Sequence, residues 1–390
     1  MTRRSLLALA FSRPSLKITK LELIPVRATE RTVWLFVRLT TDKKLTGLGE
    51  ASDAFGFAAT TTANARQMEA ELGAYFELIK GRSPLEIERY RQLGEPRARR
   101  GGLIAATAYS AIEQALWDLT GQALEQPIHA LLGGALLGGG RQTLPLYANI
   151  NRATKPRTPV GFAATAQRAV KEGFTAIKAA PFDGFTSPTA GRDIENGIAC
   201  VEAMRAAVGP QTKLMIDCHS FFDVERAVAV ARRLEPLNLA WYEEPVDPKR
   251  VEETVQIRRR IKQPMAGGET LFGVDGFVPL CRSKAVEVIM PDVKHCGGVK
   301  EMTYIAAMAR AEGVKVAPHN PAGPVSTAVS AQICATLANF EILELQWGEV
   351  DWRGEILSPP ERVTQGSLPV TDRAGLGHTL NDRLVAKQKI

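Results

Sequence analysis

Cysteine is scarce in this sequence, and long apolar runs are absent from it. The 390 residues include five cysteines, an odd number, and no two of them are spaced as a CxxC pair. This pattern argues against a disulfide framework and against a structural zinc site, and it favours a reducing compartment. No apolar run is as long as a membrane-spanning helix, so we expect no membrane association.

A large excess of one charge is also missing. Lys and Arg total 49 against 42 for Asp and Glu, which gives a net charge of +7. Basic residues cluster at Arg97, Arg99 and Arg100 and at residues 258–260, and such short runs are typical of solvated helix faces. We therefore expect no nucleic-acid partner, while a mildly basic rim suits the attraction of an anionic small molecule.

The N-terminus resembles an export signal. Arg3 and Arg4 precede a short apolar stretch, and residues 8–10 read Ala-Leu-Ala, like a cleavage triplet. The apolar stretch is at the short end of the usual range of about 7–15 residues. We expect residues 1–16 to form a vestigial or disordered leader on a cytoplasmic protein. Export through a twin-arginine signal is the alternative.

The first part of the chain has strand patterns followed by helix patterns. Residues 17–26, 32–40 and 45–51 are predicted strands, and residues 59–78, 84–93 and 104–120 have helical periodicity. A Gly-rich linker follows at Gly138, Gly139 and Gly140. Strands that precede helices in this way predict an α+β domain, here over residues 17–143.

From residue 144 onward, apolar segments alternate with helical ones. The apolar segments are residues 144–150, 176–180, 213–217, 240–243, 265–269, 286–292, 314–319 and 342–345. Eight strands that alternate with helices predict an α/β fold with a TIM-type (β/α) barrel, here over residues 144–355. The loop-rich segment 356–390 is expected to pack on the first domain, which would then cap the barrel.

Three consecutive predicted barrel strands end on a carboxylate at equal intervals. The acids are Asp217, Glu243 and Glu269, each 26 residues after the one before, which is about the length of one βα unit. The carboxyl ends of barrel strands meet at one rim, so the three acids are expected to converge. Three oxygen ligands with open positions suit Mg²⁺. The alternative is three unrelated surface acids.

Other polar residues lie at the same predicted rim. His219 follows Asp217 by two residues, so the two side chains share a face if the segment is extended. Asp292 and His319 end the sixth and seventh strands, where a carboxylate can orient an imidazole and leave its other nitrogen as a base. Glu344 lies on the eighth strand. The alternative for each histidine is a packed or capping role.

With these motifs the sequence resembles the mandelate racemase subgroup of the enolase superfamily over nearly its whole length. The first domain is similar at Leu48-Gly49-Glu50-Ala51, and the barrel is similar at Glu243-Glu244-Pro245 and Pro291-Asp292. The resemblance implies that Asp217, Glu243 and Glu269 bind Mg²⁺. It also implies that Asp292 and His319 form the dyad that removes a proton next to a carboxylate, and that Glu344 hydrogen-bonds the substrate carboxylate.

Two departures from the racemase pattern indicate a different reaction. Racemases of this subgroup have Lys-x-Lys at the end of the second strand, whereas here Lys178 matches the first lysine and Ala180 replaces the second. Where the racemases have Asp-x-Asn, this chain has Asp217-Cys218-His219, which is similar to acid-sugar dehydratases of the galactonate and mannonate types. That likeness implies that His219 is the general acid for the departing hydroxyl. Residues 317–324 also resemble the galactonate type.

The resemblance implies Mg²⁺-dependent dehydration of a sugar acid, an aldonate, to a 2-keto-3-deoxy acid. The alternatives are an epimerase or a lactone cycloisomerase of the same superfamily, and a non-catalytic sugar-acid binding protein. We expect a small sugar acid as the ligand and a homo-oligomer in solution. Loops of the capping domain, residues 27–32 and 52–58, are expected to set which sugar acid fits.

Overall fold

The computed structural model describes residues 16–56, 60–134, 140–183 and 191–390. All but the last residue of the predicted leader lie outside these ranges. So do Gly138 and Gly139 of the predicted linker, and Phe57 and Ala58 of one predicted specificity loop. Among the residues that the structure describes, no helix has both the length and the apolar character needed to cross a membrane.

The N-terminal unit is a three-stranded antiparallel sheet covered by helices. Its elements are β1 (Ile18–Arg27), β2 (Val33–Thr41), β3 (Thr46–Glu50), α1 (Thr62–Phe76), α2 (Ile87–Arg100), α3 (Gly102–Ala123) and α4 (Ile128–Leu131). Helix α3 lies very close to β3, because a Cβ atom on Gly49 would come within 2.0 Å of the Ala111 carbonyl oxygen. Apolar residues of β2 such as Leu35 and Val37 share a core with this helix.

The following unit is a curled parallel sheet surrounded by helices. The strands are β4 (Thr143–Asn149), β5 (Ala176–Ala179), β6 (Lys213–Asp217), β7 (Trp241–Glu243), β8 (Met265–Gly267), β9 (Val288–Ile289), β10 (Lys315–Val316) and β11 (Leu343–Gln346). They run in the order β10-β9-β8-β7-β6-β5-β4-β11. Val316 of β10 hydrogen-bonds with Asn339 and Glu341, which lie in the segment just before β11.

The helices of this unit alternate with its strands. They are α5 (Pro159–Lys171), α6 (Gly191–Val208), α7 (Val224–Leu234), α8 (Val251–Arg258), α9 (Gly273–Arg282), α10 (Gly298–Ala311) and α11 (Pro324–Cys334). Side chains such as Met215 and Trp241 fill the inside of the curl, and Leu214 and Ile216 pack outward against helices. The prediction of an α/β barrel-type fold with an α+β capping unit is confirmed.

Several barrel strands end earlier than the apolar pattern predicts. The predicted strand 265–269 stops at Gly267, where Gly268 turns the chain with a φ of +107°. The predicted strand 314–319 stops at Val316, because Pro318 has no N–H to offer to a ladder. Glu269, Asp292 and His319 therefore lie on short loops just beyond their strands.

The C-terminal segment contacts both units. It includes β12 (Leu357–Ser358), β13 (Ser367–Pro369), β14 (Thr379–Leu380) and α12 (Asp382–Gln388). Strand β13 pairs antiparallel with β4 of the barrel. Asp118 of the N-terminal unit accepts a hydrogen bond from the Leu376 N–H at 2.9 Å, and Arg38 forms an ion pair with Asp382.

The five cysteines are all buried and free.

Candidate active site

The structure brings together the three acids that end β6, β7 and β8. Asp217 and Glu243 lie opposite each other in the register of β6 and β7. Glu269 follows β8 after the turn at Gly268, and one carboxylate oxygen from each acid lies within 4.8 Å of the others. Glu244 supports this turn, because its Oε1 accepts hydrogen bonds from the N–H groups of Gly268, at 2.7 Å, and Glu269, at 3.3 Å.

The electrostatics of this triad favour a bound cation. Burial, followed by the charge of Asp217, raises the pKa of Glu243 to about 8. Burial and the charges of Glu244 and Asp217 also raise the pKa of Glu269 well above its usual value. Glu269 Oε2 is buried, and no described group hydrogen-bonds to it, although His319 Nε2 lies 3.1 Å away. Hard oxygen donors with one unsatisfied oxygen fit a hard divalent cation such as Mg²⁺.

Lys178 lies beneath the triad and neutralises part of its charge. Its Nζ is 2.9 Å from Glu243 Oε1 and 3.7 Å from Asp217 Oδ2, and its side chain is buried. Although burial opposes it, the charges of Glu243 and Glu344 hold the pKa of Lys178 well above its usual value. The lysine therefore stays protonated. Two positions later, Ala180 provides no titratable group on this strand end.

The predicted dyad lies on the β9 and β10 side of the triad. His319 Nδ1 is 2.8 Å from Asp292 Oδ2, and the same oxygen is 2.7 Å from Lys294 Nζ. Although burial opposes it, the charge of Lys294 leads the effects that hold the pKa of Asp292 well below its usual value. A carboxylate fixed on Nδ1 makes that nitrogen a donor, so Nε2 is the atom available as a base.

The second histidine lies on the other side of the triad. His219 Nδ1 is 2.6 Å from Asp183 Oδ1, and its Nε2 is 3.0 Å from Asp217 Oδ2. The segment is not extended here, because His219 has a φ of +44° in the left-handed region. This turn, and the bond from the His219 N–H to Asp217 Oδ1 at 2.9 Å, place the two side chains together. Asp183 is absent from the sequence-based prediction, although it follows β5 as a polar residue beyond a strand end.

Glu344 is buried and fully engaged by neighbours. Its Oε1 accepts a hydrogen bond from Asn149 Nδ2 at 2.7 Å and lies 3.0 Å from Lys178 Nζ. Its Oε2 accepts from the Asn320 N–H at 2.8 Å. Although burial opposes it, the charge of Lys178 lowers the pKa of Glu344, so the group is ionised. The contact with a substrate carboxylate that the resemblance implies stays a prediction.

Two buried carboxylates of the N-terminal unit hold the loops that carry the dyad. Glu50 accepts hydrogen bonds from the N–H groups of Gly323, at 2.6 Å, and Ser326, at 2.8 Å, at the start of α11 just after His319. Glu113 accepts from the Val299 N–H at 2.7 Å at the start of α10, beyond Asp292. The first N–H groups of a helix have no partner within the helix, so these carboxyl oxygens satisfy them. The capping unit thus fixes the backbone on which the dyad depends.

We expect Glu50→Ala to lower both stability and turnover. The substitution leaves the N–H groups of Gly323 and Ser326 buried and unpaired. The free energy of unfolding should fall by about 2–4 kcal/mol, since each unsatisfied buried donor costs about 1–3 kcal/mol. Urea unfolding monitored by circular dichroism measures this loss. The control is Glu77→Ala, an exposed residue whose ion pair with Lys80 contributes little. Equal stability of Glu50→Ala and the parent would refute the inference.

A cavity of about 150 Å³ lies next to the triad, and both histidines line it. Asp217, Glu269, His219 and His319 are among the residues that line it. Both loops predicted to set specificity reach it, residues 27–32 through Arg31 and Thr32, and residues 52–58 through Asp53, Phe55 and Gly56. The cavity can therefore hold a small polar molecule next to the triad and in contact with both histidines.

Comparisons with known proteins agree with this architecture. Residues 161–384 match the family model of the enolase C-terminal domain-like fold, and residues 19–133 match the mandelate racemase / muconate lactonizing enzyme N-terminal domain. A solved mandelate racemase/muconate lactonizing enzyme from Jannaschia sp. CCS1 superposes with a TM-score of 0.83 at 28% identity, covering 96% of this chain and 98% of that one.

Curated relatives include sugar-acid dehydratases. The D-xylonate dehydratase of Haloferax volcanii is 30% identical over 89% of this chain and 83% of its own length. The D-galactonate dehydratase of Verminephrobacter eiseniae is 28% identical over 91% of both chains. The D-gluconate dehydratase of Thermoproteus tenax is 33% identical, but the match spans only 56% of its length. The chain therefore belongs to the mandelate racemase subgroup of the enolase superfamily, in which it is similar to galactonate dehydratases.

Proposed function

We propose that this protein is a Mg²⁺-dependent hydro-lyase that dehydrates a sugar acid, such as an aldonate, to a 2-keto-3-deoxy acid. The observation that carries the proposal is the placement of two histidines, each bonded to its own carboxylate, on opposite sides of one acidic triad. A dehydratase needs a base at one carbon and an acid at the next. The dehydratase relatives support the same reaction class.

Asp217, Glu243 and Glu269 would hold the Mg²⁺ ion. When bound, the cation supplies positive charge beside the substrate carboxylate, whose negative charge grows as the neighbouring proton leaves. Lys178 adds a fixed positive charge below the triad, 2.9 Å from Glu243. Preorganised charges of this kind stabilise the transition state without having to reorient.

His319 acts first, on the carbon next to the carboxylate. Its Nε2 takes the C2 proton, and Asp292 keeps the opposite nitrogen protonated and stabilises the imidazolium that forms. The C2–H bond breaks, and its electron pair moves toward the carboxylate. His319 can perform this step because its ring is held at 2.8 Å by an acid that stays ionised.

His219 completes the elimination at C3. It donates a proton to the departing hydroxyl, the C3–O bond breaks, and a double bond forms between C2 and C3 as water leaves. The resulting enol carries its hydroxyl on C2 and tautomerises to the 2-keto-3-deoxy acid. Asp183 holds the His219 ring through Nδ1, so the Nε2 atom is the proton donor in this step.

The alternatives make different demands on the site. A two-base racemase needs a second base at the position of Ala180, and a binding protein needs no base at all. Neither a one-base epimerase nor a lactone cycloisomerase gives a 2-keto acid. The decisive experiment is a panel of sugar acids assayed for 2-keto acid formation with and without Mg²⁺. Binding without any 2-keto product across the panel would overturn the proposal. We also propose that the protein is cytoplasmic and forms a homo-oligomer.

We expect Glu269→Ala to abolish Mg²⁺ binding and turnover without unfolding the protein, because rim residues contribute little to a barrel core. The parent should gain about 2.7 kcal/mol of stability at a Mg²⁺ concentration of 100 times Kd, by ligand linkage. The variant should gain nothing. Thermal melts with and without Mg²⁺ measure this difference. The control, Glu252→Ala, removes an exposed acid of α8 and should keep the gain. A full Mg²⁺-dependent gain in Glu269→Ala would contradict the proposed ligand set.

A further inference from the structure

Three arginines line the cavity, and their charges are not equally balanced. Arg152 is paired, because its guanidinium lies 2.9 Å from Asp53 and 3.5 Å from Glu349. Arg157 has one distant carboxylate partner, Asp183 at 3.9 Å. Arg31 forms no ion pair with any residue that the structure describes. Two of the three arginines therefore bring positive charge to the cavity that nearby acids compensate only in part.

The segments outside the described ranges contain no acidic side chain that could pair with Arg31. Residues 1–15, 57–59, 135–139 and 184–190 contain no Asp and no Glu. The charge of Arg31 is therefore left for solvent or for a ligand of the cavity. Burial first, and the charge of Arg31 as well, lower the pKa of Arg157 against the opposing charge of Asp183. Both guanidinium groups line the same cavity, so an anion bound in it would offset their positive charges.

Arg157 is held rigidly in place. Its Nη1 donates to the Asn151 carbonyl oxygen at 3.1 Å, and its Nη2 donates to the Ala180 carbonyl oxygen at 2.6 Å. The guanidinium also lies 5.1 Å from the centre of the Phe162 ring. Its side chain is 29% exposed, and the residue lines the cavity. A preorganised guanidinium is well suited to recognise a carboxylate or phosphate group.

The direction of the substrate follows from the proposed chemistry. The C1 carboxylate belongs at the triad, and C2 and C3 belong between His319 and His219. Arg157 lies on the His219 side, since both residues contact Asp183. Arg31 belongs to a loop of the capping unit, is exposed, and lines the same cavity. The carbons beyond C3 therefore extend toward these two arginines.

We propose that Arg31 and Arg157 form a subsite for a second anionic group at the far end of the substrate. This inference rests on the proposed dehydratase function and narrows its substrate class. An aldonate ends in a neutral hydroxymethyl group, whereas an aldarate ends in a carboxylate and a phosphoaldonate ends in a phosphate. A charged hydrogen bond to the distal group should raise kcat/KM about 10–100-fold over the neutral counterpart.

The test compares substrates that differ only at the distal carbon. The probes are galactonate with galactarate, and gluconate with glucarate and 6-phosphogluconate, each assayed for 2-keto acid formation at saturating Mg²⁺. The variants are Arg31→Gln and the conservative Arg31→Lys. The control is Arg66→Gln, which removes an exposed arginine of α1 that does not line the cavity.

The parent should prefer the distally charged member of at least one set by 10-fold or more. Arg31→Gln should lose that preference, because kcat/KM should fall more for the distally charged substrate than for the aldonate. Arg31→Lys should keep part of the preference for the distally charged substrate, and Arg66→Gln should behave like the parent.

A preference for glucarate or galactarate identifies the distal group as a carboxylate, and a preference for 6-phosphogluconate identifies it as a phosphate. Turnover of aldonates alone, or an equal loss on both members in Arg31→Gln, would overturn the subsite while leaving dehydration intact. Absence of any 2-keto product would instead overturn the proposed function.

Discussion

Replacing His319 with asparagine should abolish both dehydration and exchange of the C2 proton with solvent. His319 Nε2 is the proposed base, and its ring is fixed at 2.8 Å by Asp292. Asparagine keeps a hydrogen-bond donor toward Asp292 but cannot accept a proton from carbon. The expected loss in kcat is about 10⁴-fold, the upper end of what a positioned base contributes. Both processes should fall together, because exchange and elimination share the same first step.

Deuterium incorporation at C2, followed by NMR in D₂O on an accepted substrate, measures the first step. Release of the 2-keto acid measures the whole reaction. The control is His378→Asn, since His378 bonds the Pro359 carbonyl oxygen in the C-terminal segment and does not line the cavity. If His319→Asn still exchanged the C2 proton at the parent rate, His319 would not be the base.

The sequence predicts the rim of the site better than its interior. A strand ends where apolar residues give way to a polar one, and parallel strands bring these ends to one edge. Asp217, Glu243 and Glu269 could therefore be placed together from their spacing alone. The same reasoning placed Asp292 near His319, which the structure brings to 2.8 Å.

What the sequence could not predict is the set of contacts between distant segments. Glu50 reaches Gly323 across 273 positions, and Glu113 reaches Val299 across 186. These acids lie in the capping unit within patterns that read as ordinary strand and helix. The local sequence pattern does not predict that each acid caps a barrel helix. The partner is a backbone N–H group, which every residue except proline has. Such pairs depend on how the two units dock.

Lys294 and Asp183 illustrate a second limit. Each lies within three residues of a predicted strand end, so its location is predictable, but its partner is not. Lys294 is fully buried and shares Asp292 Oδ2 with His319, an arrangement that requires knowing which way the loop turns. The left-handed turn at His219 is a similar case, since extended backbone was the simpler expectation.

The two possible roles of His219 predict different effects of its replacement on dehydration and on C2 proton exchange. As the general acid, it acts only after the C2 proton has left. His219→Asn should then slow dehydration by about 10²–10⁴-fold and leave C2 exchange measurable. As a support for Asp217, which lies 3.0 Å from its Nε2, it would act through the metal site. Both processes would then fall together, with Mg²⁺ affinity reduced about 10–100-fold.

Asp183 separates these roles, because it contacts His219 Nδ1 at 2.6 Å and is not one of the three proposed ligands. If His219 is the acid, Asp183→Asn should also slow dehydration more than C2 exchange, while Mg²⁺ affinity stays at the parent value. Mg²⁺ titrations followed by thermal melts supply the affinity for each variant. Dehydration by His219→Asn at the parent rate would refute its assignment as the acid. The proton for the leaving hydroxyl would then have to come from His319, which already holds the proton taken from C2.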